Sequence, residues 1–451
     1  MTDSQLRYRN LFFLWLPLAL SWMMMSVAGP IVSAGISRLP DAATNLAAHG
    51  LTMDIAVLVE SPIIMILSAS VALVRSRASY LLLRRFVVHL TIALTIISVV
   101  VYFTPIYDFL FMQLMGFPEA VTAAARPSLR VMVLWPAAIG WRRLWQGALI
   151  LHGQSKMVSI GTLFRLAALA ISVAVGVRLG LQPGALLGGL SMAISVIVEM
   201  LVIAWWSRPL IRDKILSIES DPEGSAPLDY RRLAWFYLPL AGTDAMRVLS
   251  RPLTAMGIAR AANATLSLAA WPVGYGLSAL LGSGVMALQE VVLARLGSET
   301  SESRLARFGM AIGVAFSCIL GVMVATPLAN GYFERLLGVP AEVRILALSC
   351  LLILVPMPVL FAARNYLRGV LIWRRQSTLV QLGMFINLLV LLVLLAAGLW
   401  RGSIQGILVA AWATLGAEIV EVLALFWLLR RVTSRVQATT VVQSQGAEQR
   451  A

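Results

Sequence analysis

The sequence predicts an all-α integral membrane protein, with twelve transmembrane helices arranged as two parallel six-helix lobes. Three observations carry this prediction. The 451 residues are 59% hydrophobic and 13% charged, with mean hydropathy +0.85. A soluble chain of that size needs a charged surface that this composition cannot supply, so lipid must be the solvent for much of it. Apolar runs long enough to cross the hydrocarbon core, about 20 residues, recur along the chain. The two halves also repeat each other at a constant offset.

The elements follow in order. Segment 11–37 comes after Arg7 and Arg9. It outruns a signal-peptide core and shows no small-residue cleavage pattern, so it is expected to stay as the first span. Segments 51–73 and 81–104 flank Arg75 and Arg77. Segments 128–150 and 157–178 meet at Lys156, and 184–206 completes an N-lobe of 1–206. The stretch 207–234, with Asp221-Pro222-Glu223-Gly224, is the longest polar passage and reads as a linker. Segments 235–260, 264–293, 306–327, 343–372, 378–399 and 403–429 build a C-lobe of 235–435. The polar tail 436–451 is expected to be disordered. Backbone groups in lipid must pair internally, which demands helices here, and the period-two alternation of a membrane barrel is missing.

The formal net charge is +15 and the pI about 10.9. The cations sit in short clusters between apolar runs, among them Arg84/Arg85, Arg231/Arg232, Arg374/Arg375 and Arg430/Arg431. These fall on alternate connections. The other connections are sparser, and Asp108, Glu119, Glu334 and Glu342 offset their arginines. That asymmetry is the positive-inside pattern, so both termini are expected in the cytoplasm and the chain in the inner (cytoplasmic) membrane. It also removes nucleic acid as a partner, because no reading module accompanies the charge. Cys318 and Cys350 lie inside apolar runs, and His49, His89 and His152 form no metal motif. No G-x-x-x-x-G-K-[ST] loop and no H-E-x-x-H pair is present. The expectation is a chain that is not an enzyme and carries no cofactor or metal.

A shift of 222 residues superposes the halves almost without gaps. Leu16-Pro17-Leu18-Ala19 meets Leu238-Pro239-Leu240-Ala241, Pro30 meets Pro252, and Gly35-Ile36 with Arg38 meet Gly257-Ile258 with Arg260. Gly116 and Pro118 meet Gly338 and Pro340, and Pro136, Arg142 and Gly147 meet Pro358, Arg364 and Gly369. Glu199 meets Glu421. Chance similarity between apolar helices would match Leu and Ala, not prolines, glycines and charges in one register. Six helices per copy is an even number, so both copies insert in the same sense around a pseudo-two-fold along the membrane normal. Binding sites in such proteins lie between the halves near the midplane.

Charges inside the spans are the candidate functional residues, because each costs about 2.5–3.5 kcal/mol or more at a helix centre. The matched pairs Arg142/Arg364 and Glu199/Glu421 read first as braces within each lobe, with Arg143 a further ion-pair candidate. The unmatched charges are more informative. Asp244, Arg247 and Arg251 lie at helical spacings of three and four, so they share one face. Their counterparts are Trp22, Met25 and Gly29. Asp54 and Glu60 likewise stand opposite Gly276 and Gly282. Arginine selects anions through its fixed fork of donors. The carboxylates could carry a proton or sodium ion, or simply partner the arginines.

Short matches of residues give the chain a family resemblance. Gly35-Ile36 is followed by Leu46-Ala47 and Gly50-Leu51; Ser250-Arg251-Pro252 has Arg260 beyond it; Pro272-Val273-Gly274 comes next; and Pro358, Arg364 and Gly369 sit together. In order and spacing these resemble the progressive ankylosis protein family, within the multidrug/oligosaccharidyl-lipid/polysaccharide (MOP) flippase superfamily, whose fold is MATE-like. The chain departs from that pattern at Ala34, Ser61-Pro62 and Leu360. The major facilitator loop motif is missing: the second connection reads Arg75-Ser76-Arg77-Ala78-Ser79.

The resemblance implies export of a small polyanion such as pyrophosphate, a nucleotide or a citrate-like acid. Arg251 is the residue expected to contact it, then Arg247 and Arg364, with Arg142 after them. The leading expectation is a secondary transporter, a monomer, in which two lobes rock about a cavity lined by helices 1, 2, 7 and 8. Asp54, Glu60 or Asp244 would couple it to protons or sodium. The rival readings are a flippase for a lipid-linked pyrophosphoryl sugar and proton- or sodium-coupled multidrug efflux.

Overall fold

The computed structural model describes residues 8–218, 229–297, 299–400, 402 and 404–448. The proposed linker's central part, 219–228, lies outside these residues. Nine described helices are long and apolar enough to cross a membrane: α1 Tyr8–Ile36, α2 Ala42–Leu73, α3 Arg77–Phe103, α5 Ser155–Arg178, α6 Gly184–Ile215, α8 Ala264–Arg295, α9 Glu302–Ala325, α11 Ser377–Trp400 and α12 Gly406–Thr433. The bent pair Ala341–Ile353 and Met357–Trp373, at 48°, makes α10. The two remaining expected spans are also helical. They are α4, in two pieces Glu119–Val131 and Trp135–Leu151, and α7, Tyr230–Ala259. Each of the two carries four arginines, which lowers its apolarity. Together these are the two six-helix lobes of a multi-pass membrane protein. The helix begun at Gly406 continues to Glu448, so 436–448 extend α12 where a disordered tail was expected. Extending a helix that is already nucleated costs little, and polar residues tolerate it.

Prolines and glycines explain the local shapes, and they do so twice. Pro30 has no N–H and crowds the carbonyl of Ser26, and α1 breaks at Val27. Pro136 and Pro358 begin the second pieces of α4 and α10, where a missing N–H is tolerated. A Cβ on Gly35 would stand 2.4 Å from a Val173 methyl, and one on Gly257 2.9 Å from a Leu395 methyl. These glycines let α1 seat on α5 and α7 on α11. Gly147 approaches Ser70 in the same way, and Gly369 approaches Val292. Small residues permit this closeness in lipid, where helices associate by packing and not by exclusion of water.

The terminal face is the side where α1 begins, and the far face is the opposite one. On the far side the lobes share one apolar core. Val32, Leu46 and Leu51 of the N-lobe join Ile258, Leu268 and Phe333 of the C-lobe in it. On the terminal side the core divides in two, and the first helix of each lobe changes sides. Leu11, Trp15 and Ala19 of α1 pack into the C-lobe with Leu288, Val370 and Leu425. Leu233, Tyr237 and Ala241 of α7 pack into the N-lobe with Ile66, Tyr80 and Leu144. Trp15 Nε1 donates to the Gly284 carbonyl at 2.9 Å, and the Tyr237 hydroxyl donates to the Pro62 carbonyl. All four residues keep the 222-residue register.

The far face is latched in the same register. Arg38, after α1, donates to the Leu336 carbonyl at 3.0 Å, and Arg260, after α7, donates to the Leu114 carbonyl. Leu114 and Leu336 end short π-helical turns, Phe109–Leu114 and Tyr332–Leu336, whose last carbonyls need outside donors. Gly116 and Gly338 follow with φ of 78° and 70°. A Cβ on Gly116 would lie 2.9 Å from the Arg260 stem, so glycine is required there for space as well as for backbone sign.

Candidate functional site: the interlobe cavity

A cavity of about 600 Å³ lies between the lobes. Its floor is the shared core, since Val32, Leu51, Leu268 and Val273 belong to both. It draws on more helices than the expected α1, α2, α7 and α8. Arg165 of α5, Met192 of α6, Arg364 of α10, Asn387 of α11 and Glu418 of α12 also line it.

α7 contributes the most accessible charge. The Arg247 and Arg251 side chains are 53% and 51% exposed, while their partners Asp244 and Asp54 are 6% and 11% exposed. Arg247 meets Asp244 at 2.7 Å within α7. Arg251 Nε meets Asp54 Oδ1 at 3.0 Å across the lobe boundary. Each carboxylate therefore holds its guanidinium from behind and leaves the open face toward the cavity. On α8, Trp271 and Tyr275 stack at 5.0 Å and 17° and form part of the wall. Their four-residue spacing was readable in the sequence, but nothing there said which face it would present.

The remaining charges sort differently from the sequence expectation. Arg364 lines the cavity, but it pairs with Glu418 at 2.7 Å. Glu421 is taken by Arg368 instead. The matched brace Arg364–Glu421 is thus replaced by two pairs one turn apart, because Glu418 and Arg368 stand where the N-lobe has Val196 and Gln146. In the N-lobe Arg142 is buried, hydrogen-bonded to Glu199, and absent from the cavity lining. That corrects its assignment as a substrate contact. Glu60 is buried beneath the wall, where it accepts from Trp135 Nε1 at 2.8 Å. It does not line the cavity as a coupling group there should. Arg143, expected in an ion pair, has no carboxylate within 4.0 Å among the described residues. Among those residues no cluster of three or more metal-ligating side chains occurs.

No protein-family description matches the chain, and no curated protein matches it. Solved structures do. The chain is similar to a multidrug resistance MATE family transporter of the MOP superfamily in an inward-facing conformation, with TM-score 0.73 at 13% identity over 94% of this chain and 98% of the other. It is similar to the lipid II flippase MurJ in an inward closed conformation, with TM-score 0.68 at 11% identity over 92% and 87%. A MATE family transporter in an outward-facing conformation gives TM-score 0.58 at 14% identity over 96% and 98%. The fold is therefore MATE-like, the fold class of MOP superfamily transporters.

Proposed function

We propose that this protein is a secondary transporter of the inner membrane that exports a small anionic solute by alternating access of its two lobes. The observation that carries the reading is the pair of half-exposed guanidiniums on α7, aimed into an interlobe cavity and backed by buried carboxylates. A multivalent anion can engage both forks while Asp54 and Asp244 stay behind them. The arginine bias of the connections supports a cytoplasmic terminal face. The shared far core, the divided terminal core and the higher TM-score to the inward-facing relative support a cavity that loads from the cytoplasm. The family resemblance supports a polyanion such as pyrophosphate, a nucleotide or a tricarboxylate. Asp54 is the coupling candidate best placed, since protonating it would loosen both Arg251 and the lobe boundary.

The rivals fit less well. A lipid-linked sugar needs a lateral opening beside α1, whereas Trp15 and its apolar neighbours seal α1 onto α8. A cationic drug needs a free carboxylate, whereas Asp54, Glu418 and Glu421 each hold an arginine. The test is uptake into proteoliposomes containing the purified protein, with labelled pyrophosphate, ATP, citrate and a cationic dye. Saturable uptake of one of the anions, abolished by Arg251→Ala, is expected. Dye transport alone, or anion transport indifferent to that substitution, would overturn the reading.

A further inference from the structure

The two lobes bury repeat-related charge clusters that do not balance alike. In the C-lobe, Arg364 and Arg368 face Glu418 and Glu421, so the charges cancel. In the N-lobe, Arg142, Arg143 and Arg165 face Glu60 and Glu199, so one positive charge is left over among the described residues. Glu199 is shared, since Arg142 bonds to it, Arg165 Nη1 lies 3.9 Å away, and Gln146 Nε2 donates to it at 3.2 Å. Glu60 is engaged by Trp135. The Nε atoms of Arg142, Arg143 and Arg165 are buried with no acceptor, against a single such atom, that of Arg364, in the C-lobe cluster.

The surplus traces to single positions of the duplication. Asn365 and Asn387 stand where the N-lobe has Arg143 and Arg165, and Glu418 stands where it has Val196. An unbalanced buried cation at membrane depth is costly, and the usual remedy is a counter-charge. Arg165 also lines the interlobe cavity beside His49 and Met192, so the cluster has a route to solvent that does not cross lipid.

We propose that the N-lobe cluster of Arg142, Arg143 and Arg165 binds a small monovalent anion of the halide class, admitted from the cavity past Arg165. The site is separate from the α7 arginines and does not depend on which solute the cavity carries. One monovalent ion neutralises the lobe, and the open guanidinium edges supply its donors.

The experiment is equilibrium binding of radiolabelled iodide to the purified full-length protein, competed by unlabelled chloride. A saturable component that persists when excess citrate occupies the α7 arginines is expected, at one site per chain. Arg143→Asn and Arg165→Asn install the C-lobe residues and should each weaken binding about tenfold or more. Val196→Glu keeps all three arginines but supplies the carboxylate that the C-lobe has, and it should abolish binding too. Glu334→Gln, on the far face and outside both sites, should leave iodide affinity unchanged. Absence of saturable iodide binding in the unaltered protein would overturn the proposal. So would full binding in Val196→Glu, or in both arginine variants.

Discussion

Asp54 of α2 and Arg251 of α7 meet at 3.0 Å across the boundary between the lobes. Among the described residues, every other intramembrane ion pair joins side chains of one lobe. This pair therefore touches both the proposed anion site and the seam that would change if the lobes rocked. Removing the carboxylate frees the guanidinium for solute. A half-exposed pair is worth about 0.2–1 kcal/mol, so Asp54→Asn should tighten solute binding by up to about fivefold while slowing net transport. Calorimetric titration and proteoliposome flux together check this. Weaker binding in Asp54→Asn would remove Asp54 from the proposed role.

The far-face latches predict a conformational shift. A hydrogen bond from a charged donor contributes about 1.5–3 kcal/mol. Arg38→Ala with Arg260→Ala should release the far face so that the lobes part on that side. Spin labels at Ile106 and Leu328, exposed repeat-related positions on that face, should then report longer distances by double electron–electron resonance. An unchanged distance distribution would mean that the apolar core alone holds that side shut.

The buried pairs should dominate stability while exposed ones do not. Glu199→Gln leaves Arg142 and Arg165 facing a neutral amide, and losing one partner of a buried pair costs about 3–5 kcal/mol. Glu334→Gln removes a half-exposed carboxylate from Arg344 and should cost about 0–1 kcal/mol. Thermal unfolding in detergent compares them. Equal melting shifts would contradict the assignment of burial.

Close helix approach gives a packing prediction. A Cβ on Gly147 would lie 2.4 Å from Ser70 Cβ and 3.2 Å from the Leu67 carbonyl, and backbone cannot swing aside. Gly147→Ala should destabilise by about 1–3 kcal/mol. The same change at Gly29, with nothing within 4 Å, should be tolerated. Paired melting curves decide the matter.

Much of the architecture was legible because a duplicated chain writes each feature twice. The 222-residue register paired Pro136 with Pro358, Gly35 with Gly257 and Arg38 with Arg260, and the structure places helix breaks, close helix contacts and latches at those pairs. The register could not say which carboxylate an arginine would choose. Arg364 had Glu418 and Glu421 one turn apart on α12, and only packing decides between neighbours on one face. Arg142 makes the brace to Glu199 that the register suggested, and not the substrate contact. Its sequence neighbourhood matches that of Arg364, yet Val196 stands opposite where the C-lobe has Glu418, so the N-lobe arginine turns to Glu199 and away from the cavity. The wider lining, with Arg165 and Asn387, arises from the packing of helices distant in sequence, which a linear pattern does not encode.

The crossing of α1 and α7 is also reciprocal. Trp15 reaches Gly284 and Tyr237 reaches Pro62, which is one bond made twice in opposite directions. Such reciprocity is the signature of an isologous interface, in which a residue of each copy contacts the same patch of the other. A lone six-helix unit would leave Leu11, Trp15 and Ala19 without their present cover. The geometry is the one that two separate six-helix units would adopt as a homodimer with exchanged arms, and the single chain keeps it: each lobe is closed by a helix that belongs to its neighbour.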